Sequence, residues 1–139
     1  MVFQYEQLSL ATASVVIDIM ADGTVSKYLW NIGKKLSQSL QEIAYGMQIE
    51  LQVHGPAPRQ SIYFPEQRGF SSKRILTFFI QNLFHEGVLC NGNIMSSAAH
   101  DDEDLNKTTR AFERSLSAVS YALRNGDPEQ KIRFSFDIV

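Results

Sequence analysis

The 139-residue chain has one cysteine, Cys90, so no disulfide can form within it and nothing points to an oxidising compartment. It also lacks a basic excess, with 13 lysines and arginines against 15 acidic residues and a formal net charge of −2. Without a basic patch to gather phosphates, nucleic acid is not expected as a partner, nor is an anionic membrane surface. No long apolar run is present. The longest, around Val15–Ile17, is cut by Asp18, far short of a membrane span. The N-terminus shows no basic leader followed by an apolar stretch and a small-residue cleavage site, so no signal peptide is read. Internal repeats and low-complexity tracts are absent as well. A soluble, cytoplasmic protein is the expectation.

What the sequence does have is an ordinary globular composition, 44% hydrophobic and 20% charged, which argues against disorder. Its length suits a single domain that buries roughly two-thirds of its unfolded surface. Leu8, Ala11, Val15 and Ile19 fall on one face of a helix running from Gln4 to about Ala21. Leu10, Ala13, Val16, Ile17 and Met20 make its other side small or apolar too, so this helix needs partners on more than one side. Asp22-Gly23-Thr24 interrupts the pattern, with Thr24 as the expected N-cap of the next helix. There Val25, Leu29, Ile32, Leu36, Leu40 and Ile43 form the cleanest amphipathic stripe in the chain, and Gly46 marks its end.

Ile49, Leu51 and Val53 alternate with Gln48, Glu50 and Gln52 as a half-buried strand. Gly55-Pro56-Ala57-Pro58 turns the chain into a second strand over Ser61–Phe64. Ser71 or Ser72 caps a helix reaching about His85, with Leu76, Phe79, Ile80 and Leu83 inward and Gly87 as its stop. Asn91-Gly92-Asn93 is a turn, and Ile94 to Ser97 adds a brief strand. Asp101 to Asp104 place acids in the first turn of the last long helix, where the helix dipole favours them. Leu105, Thr109, Phe112, Leu116, Val119 and Leu123 form its stripe, and a terminal strand alternates Ile132, Phe134, Phe136 and Ile138. The expected fold class is α+β: a small, mostly antiparallel sheet covered by helices, preceded by a long apolar N-terminal helix.

Two stretches together resemble one family. Phe3-x-x-Glu6-x-Leu8-Ser9-Leu10-Ala11, followed by Tyr28-Leu29-Trp30-x-x-Gly33-x-x-Leu36, is similar to a "T-F-x-G-E-x-L-S-L-A" run leading into "L-W-x-x-G-x-x-L". Phe84-His85-Glu86-Gly87-Val88-Leu89, followed by Ser97-Ala98-Ala99-His100-Asp101-Asp102-Glu103-Asp104-Leu105, is similar to a "G-V-L … S-x-A-H-T-x-E-D-I-D" ending. In order and spacing, from Phe3 to Leu123, the chain resembles the C-terminal small domain of class III pyridoxal-phosphate-dependent aminotransferases. The glutamate-1-semialdehyde aminomutase branch is the most similar.

The resemblance implies a fold-type I enzyme that works as a homodimer with pyridoxal phosphate. A lysine on the large domain forms the Schiff base there, and an aspartate pairs with the pyridinium nitrogen. Residues 1–21 would be the domain-connecting helix and residues 22–139 the compact α+β part. The sequence is expected to start after the lysine and the aspartate, as a fragment or a split relative. Its partner would be the missing large catalytic domain or a separate subunit carrying it, and a homo-oligomer is expected. Val2 stands where the family places a phosphate-binding threonine, and Gln4 and Tyr5 replace its glycines. No catalytic, cofactor-binding or metal-binding residue is therefore assigned, and no cofactor is expected to bind this chain alone.

The lysines agree without any family knowledge. A Schiff-base lysine must be desolvated and neutral, yet Lys27, Lys34 and Lys35 lie on the polar side of a helix. Lys73 and Lys107 sit near helix starts and Lys131 follows a turn. Two residues are substrate-binding candidates. His100, at a strand-to-helix junction, either contacts substrate or the dimer partner, or is a structural histidine bonded to Asp102, Glu103 or backbone. Arg59, after the Gly55–Pro58 turn, can grip a carboxylate bidentately or be an edge-strand arginine. A metal site from His100, Asp101 and Asp102 reads better as a solvated helix cap. Cys90 reads as an inert thiol. Ser96, Ser97 and His100 lack the glycine framing of a nucleophile elbow. A reading from another class is a stand-alone interaction module that associates through its apolar first helix.

Overall fold

The computed structural model describes residues 7–126. The expected strand over residues 132–138 and the segment around Val2, Gln4 and Tyr5 lie outside the described residues. Four helices and three short strands follow one another as α1 (Gln7–Met20), α2 (Thr24–Gly46), β1 (Gln52–His54), β2 (Arg59–Tyr63), α3 (Ser72–His85), β3 (Asn93–Met95) and α4 (Asp102–Asn125). The strands form one antiparallel sheet in the order β1-β2-β3. The α+β expectation therefore holds.

The start of α2 differs from expectation. Gly23, not Thr24, occupies the N-cap, in the left-handed region at φ 74°. The capping acceptor comes from one residue further back: the Asp22 carboxylate accepts the Thr24 N–H at 2.8 Å and the Thr24 hydroxyl at 2.9 Å. A short acidic side chain two residues before an unpaired N–H does the work of a cap, and glycine supplies the backbone turn. These two bonds hold the Asp22 carboxyl below its ordinary pKa.

The other end of α2 closes by a Schellman motif, in which Ile49 N–H reaches the Ala44 carbonyl and Gln48 N–H the Tyr45 carbonyl. Gly46 is the last helical residue, but the left-handed position falls two residues later on Gln48, at φ 58°. Helix α3 ends the same way with a glycine in place: Val88 N–H bonds Leu83 and Gly87, at φ 80°, bonds Phe84. Ser71 is the N-cap of α3.

Alternation on β2 turns Gln60 and Ile62 inward and leaves Arg59, Ser61 and Tyr63 exposed. Register places Val53 opposite Ile62 and Ile94 opposite Gln60, so one face of the sheet meets the helices. Strand β1 is shorter than the pattern suggested, yet Ile49 is buried and Leu51 and Val53 are half-buried, as the alternation requires. Phe79 of α3 joins the layers, with Phe64 edge-on at 5.3 Å between ring centres and Phe112 of α4 stacked at 6.3 Å. Ile32, Leu36 and Leu40 of α2 and Leu116 and Val119 of α4 complete this core.

Helix α1 stands apart. None of its residues is buried, and Leu8 and Ile17 are 82% and 67% exposed. No single described helix is long and apolar enough to cross a membrane.

Candidate functional site

The two stretches that carry the family resemblance meet in space. Tyr28, near the start of α2, donates its hydroxyl to the His100 carbonyl at 2.6 Å, across 72 positions of sequence. Five residues further along α2, Gly33 faces the Gly55–Pro58 turn. A Cβ at Gly33 would lie 1.7 Å from the Ala57 carbonyl oxygen and 3.0 Å from Ser96 Oγ. No side chain fits at that distance, so the glycine lets the helix backbone rest on the turn. The turn is in turn held to the segment before His100, because Ser96 N–H donates to the Pro58 carbonyl at 3.0 Å. Helix α2, the turn before Arg59 and the loop before His100 thus form one rigid corner.

His100 is half-buried at that corner. Its Nδ1 accepts the Ser97 N–H at 3.3 Å and its own backbone N–H donates to the Ser97 carbonyl at 3.2 Å. An accepting Nδ1 places the proton of the neutral ring on Nε2. Its partners are backbone groups and Tyr28 rather than Asp102 or Glu103. The acids that follow are committed to the helix start: Asp101 accepts the Asp104 N–H at 3.0 Å and Asp104 accepts the Asp101 N–H at 3.2 Å, a capping box. Among the described residues no three His, Cys, Asp or Glu side chains are grouped to hold a metal ion.

A cleft of about 300 Å³ opens beside His100, between the Gly87–Cys90 segment, β3 and the first turns of α4. Leu89, Cys90, Met95, His100, Asp104 and Lys107 are among its lining residues. Cys90 donates to the Asn93 carbonyl at 3.5 Å and accepts the Gly92 N–H at 3.3 Å. Burial pushes its thiol pKa up, which keeps it protonated and a poor nucleophile. Arg59 does not line this cleft. It is exposed on β2, opposite Met95, on the sheet face turned away from the core. The structure therefore puts the two candidates at one corner but not in one pocket.

The lysines decide how far this chain can serve pyridoxal phosphate by itself. Lys27, Lys34, Lys35, Lys73 and Lys107 are all exposed. Lys107 alone among them lines the cleft, and Glu103 binds its ammonium at 2.8 Å. That bond raises the Lys107 pKa, the opposite of what a Schiff-base amine requires. No described lysine fits the group.

No family model matches the chain, and no curated protein matches it. A solved structure does. The PLP internal aldimine form of the FumI protein of Sphingopyxis sp. MTA144 aligns with a TM-score of 0.63 at 24% sequence identity. The alignment covers 76% of this chain and 25% of that one. The chain thus shares its fold with about a quarter of a pyridoxal-phosphate protein.

Sequence reading missed the Tyr28–His100 bond, since nothing local links positions so far apart. Gly33 did carry a signal: a glycine inside the best amphipathic helix is costly unless something packs against it.

Proposed function

We propose that this chain is the C-terminal small domain, or a fragment containing it, of a pyridoxal-phosphate-dependent aminotransferase or aminomutase, and is not catalytic alone. The observation that carries the reading is the corner itself. The two family-like stretches, distant in sequence, are bound together through Tyr28 and His100 and through Gly33 and the turn bonded to Ser96. The shared fold with FumI supports it. Within the family the motifs favour the glutamate-1-semialdehyde aminomutase branch. A large domain, joined to this chain or separate, would hold pyridoxal phosphate and carry amino-group transfer in a cytoplasmic homodimer. His100 and Arg59 would face that domain's substrate from the rigid corner, His100 by its Nε2–H and Arg59 by its guanidinium.

The test is to mix the purified chain with pyridoxal phosphate, alone and with the large domain of a family enzyme lacking its own small domain. The chain alone should show no aldimine absorbance and nothing for borohydride to fix. With the large domain, transamination should rise above that of the large domain by itself. A stoichiometric, reducible aldimine on one lysine of the isolated chain would overturn the reading.

One observation favours a second reading, an interaction module. Helix α1 exposes Leu8, Leu10, Val15, Val16, Ile17 and Ile19 by more than half each, a patch of the kind that marks an interface. Light scattering separates the cases. A clean monomer with α1 protected from hydrogen exchange counts against this module.

A further inference from the structure

Glycine follows an aspartate or an asparagine at three places in this chain, Asp22-Gly23, Asn91-Gly92 and Asn125-Gly126. Each pairing allows the glycine nitrogen to attack the preceding side-chain carbonyl, because glycine has no Cβ to obstruct the approach. We propose that Asn91 is a site of spontaneous modification, an intramolecular deamidation that outpaces the rearrangement of the other two. In the first step the Gly92 amide nitrogen loses its proton and bonds to Asn91 Cγ. The Cγ–Nδ2 bond breaks and ammonia leaves, carrying away a proton, to give a five-membered succinimide. Water then opens one of the two ring carbonyls, leaving aspartate or isoaspartate. One water enters, one ammonia departs, and no oxidant or reductant is needed.

Hydrogen bonding ranks the three sites. At Asn91 the carbonyl oxygen is the atom engaged: it accepts from Asn93 Nδ2 at 3.0 Å, and the Asn93 oxygen accepts from Ser61 Oγ at 2.7 Å. That relay withdraws electrons from Cγ and makes it the better electrophile. The attacking Gly92 N–H donates to Cys90 Sγ at 3.3 Å, and sulfur is a weak acceptor, so releasing it costs little. Asn91 is exposed, which admits the water that opens the succinimide.

Asn125 is arranged the other way. Its nitrogen, the leaving group, donates to the Tyr121 carbonyl at 2.8 Å and is tied back along α4. The Gly126 N–H is held by the Ala122 carbonyl at 3.0 Å, a stronger acceptor than sulfur. Asp22 has no ammonia to lose, and its carboxyl reacts only when protonated. The Thr24 bonds keep it ionised by lowering its pKa.

The modification has a structural consequence. Isoaspartate lengthens the main chain by one atom immediately before Gly92. That glycine is buried against Leu76 and Ile80, and its carbonyl accepts the Ile62 N–H at 2.8 Å. Rearrangement shifts this carbonyl and loosens the turn from β2.

The test is to hold the folded chain at mildly alkaline pH, map its peptides by mass, and count isoaspartate with isoaspartyl methyltransferase. Asn91 should convert several-fold faster than Asn125, with Asp22 slowest. Unfolding in denaturant should bring the two Asn-Gly sites to similar rates, since their dipeptides are the same. Asn91→Gln should abolish the leading signal. Ser61→Ala, with its fold checked by circular dichroism, should slow Asn91 toward the rate of Asn125. Equal rates at Asn91 and Asn125 in the folded chain, or a faster Asn125, would overturn the proposal.

Discussion

Helix α1 carries one charged residue, Asp18, in its 14 positions, whereas α4 opens on three consecutive acids and stays polar along much of its length. Yet it is α4 that buries Phe112, Leu116, Val119 and Leu123, while none of α1 is buried. Apolar content does not set burial; arrangement does. The apolar residues of α4 recur at three and four positions and so share one stripe, which α2 and α3 cover. Those of α1 lie all round the helix. Only α2 touches α1. A stripe is satisfied within one domain, whereas a helix apolar on every side calls for a second surface.

The largest expected effect breaks the buried side of this contrast. Phe79→Ala removes the ring that joins Phe64 to Phe112, and should destabilise the chain by about 3–5 kcal/mol in urea unfolding. A loss no larger than that of a surface change would show that α3 and α4 do not share this core.

Gly33→Ala comes next. By helix propensity alone, alanine in place of glycine should stabilise α2 by about 1 kcal/mol. The approach of Ala57 reverses the sign: the added methyl must push the turn away, a destabilisation of about 1–3 kcal/mol. A more stable variant would mean that α2 does not rest on the turn, and the corner that holds Tyr28 to His100 would fall with it.

How much of this was legible in the sequence depends on distance along the chain. The α2 and α4 stripes, the Gly87 stop and the acidic start of α4 were readable, because period and capping are local. Lys107 near a helix start and Cys90 as an inert thiol were readable from their neighbours. The Asp22 cap was misassigned to Thr24 because both residue types cap helices and only backbone geometry tells them apart. The position of Gln48 was missed because left-handed residues are expected to be glycine, and Gly46 stood two residues too early. The clustering of Arg59, His100 and Tyr28 at one corner was invisible, since it depends on how the sheet and α2 pack.

Gln48 offers a smaller and opposite effect. Its side chain pays for a left-handed conformation that the Schellman motif demands, so Gln48→Gly should stabilise the chain by about 1 kcal/mol. A rise in thermal midpoint checks it. A fall would place the helix end elsewhere and remove Ile49 from its buried position after the turn.

The smallest effect on stability sharpens the contrast most. Ile17 is 67% exposed on α1, so Ile17→Ser removes little packing among the described residues and should change unfolding by less than about 0.5 kcal/mol. If α1 serves a second surface, the same substitution weakens association while leaving the fold untouched. Gain in added transamination with a large domain should fall, or the light-scattering mass should shift toward monomer. A domain destabilised as strongly by Ile17→Ser as by Phe79→Ala would show instead that α1 packs on its own chain. The distinction between the covered stripe of α4 and the uncovered surface of α1 would then disappear.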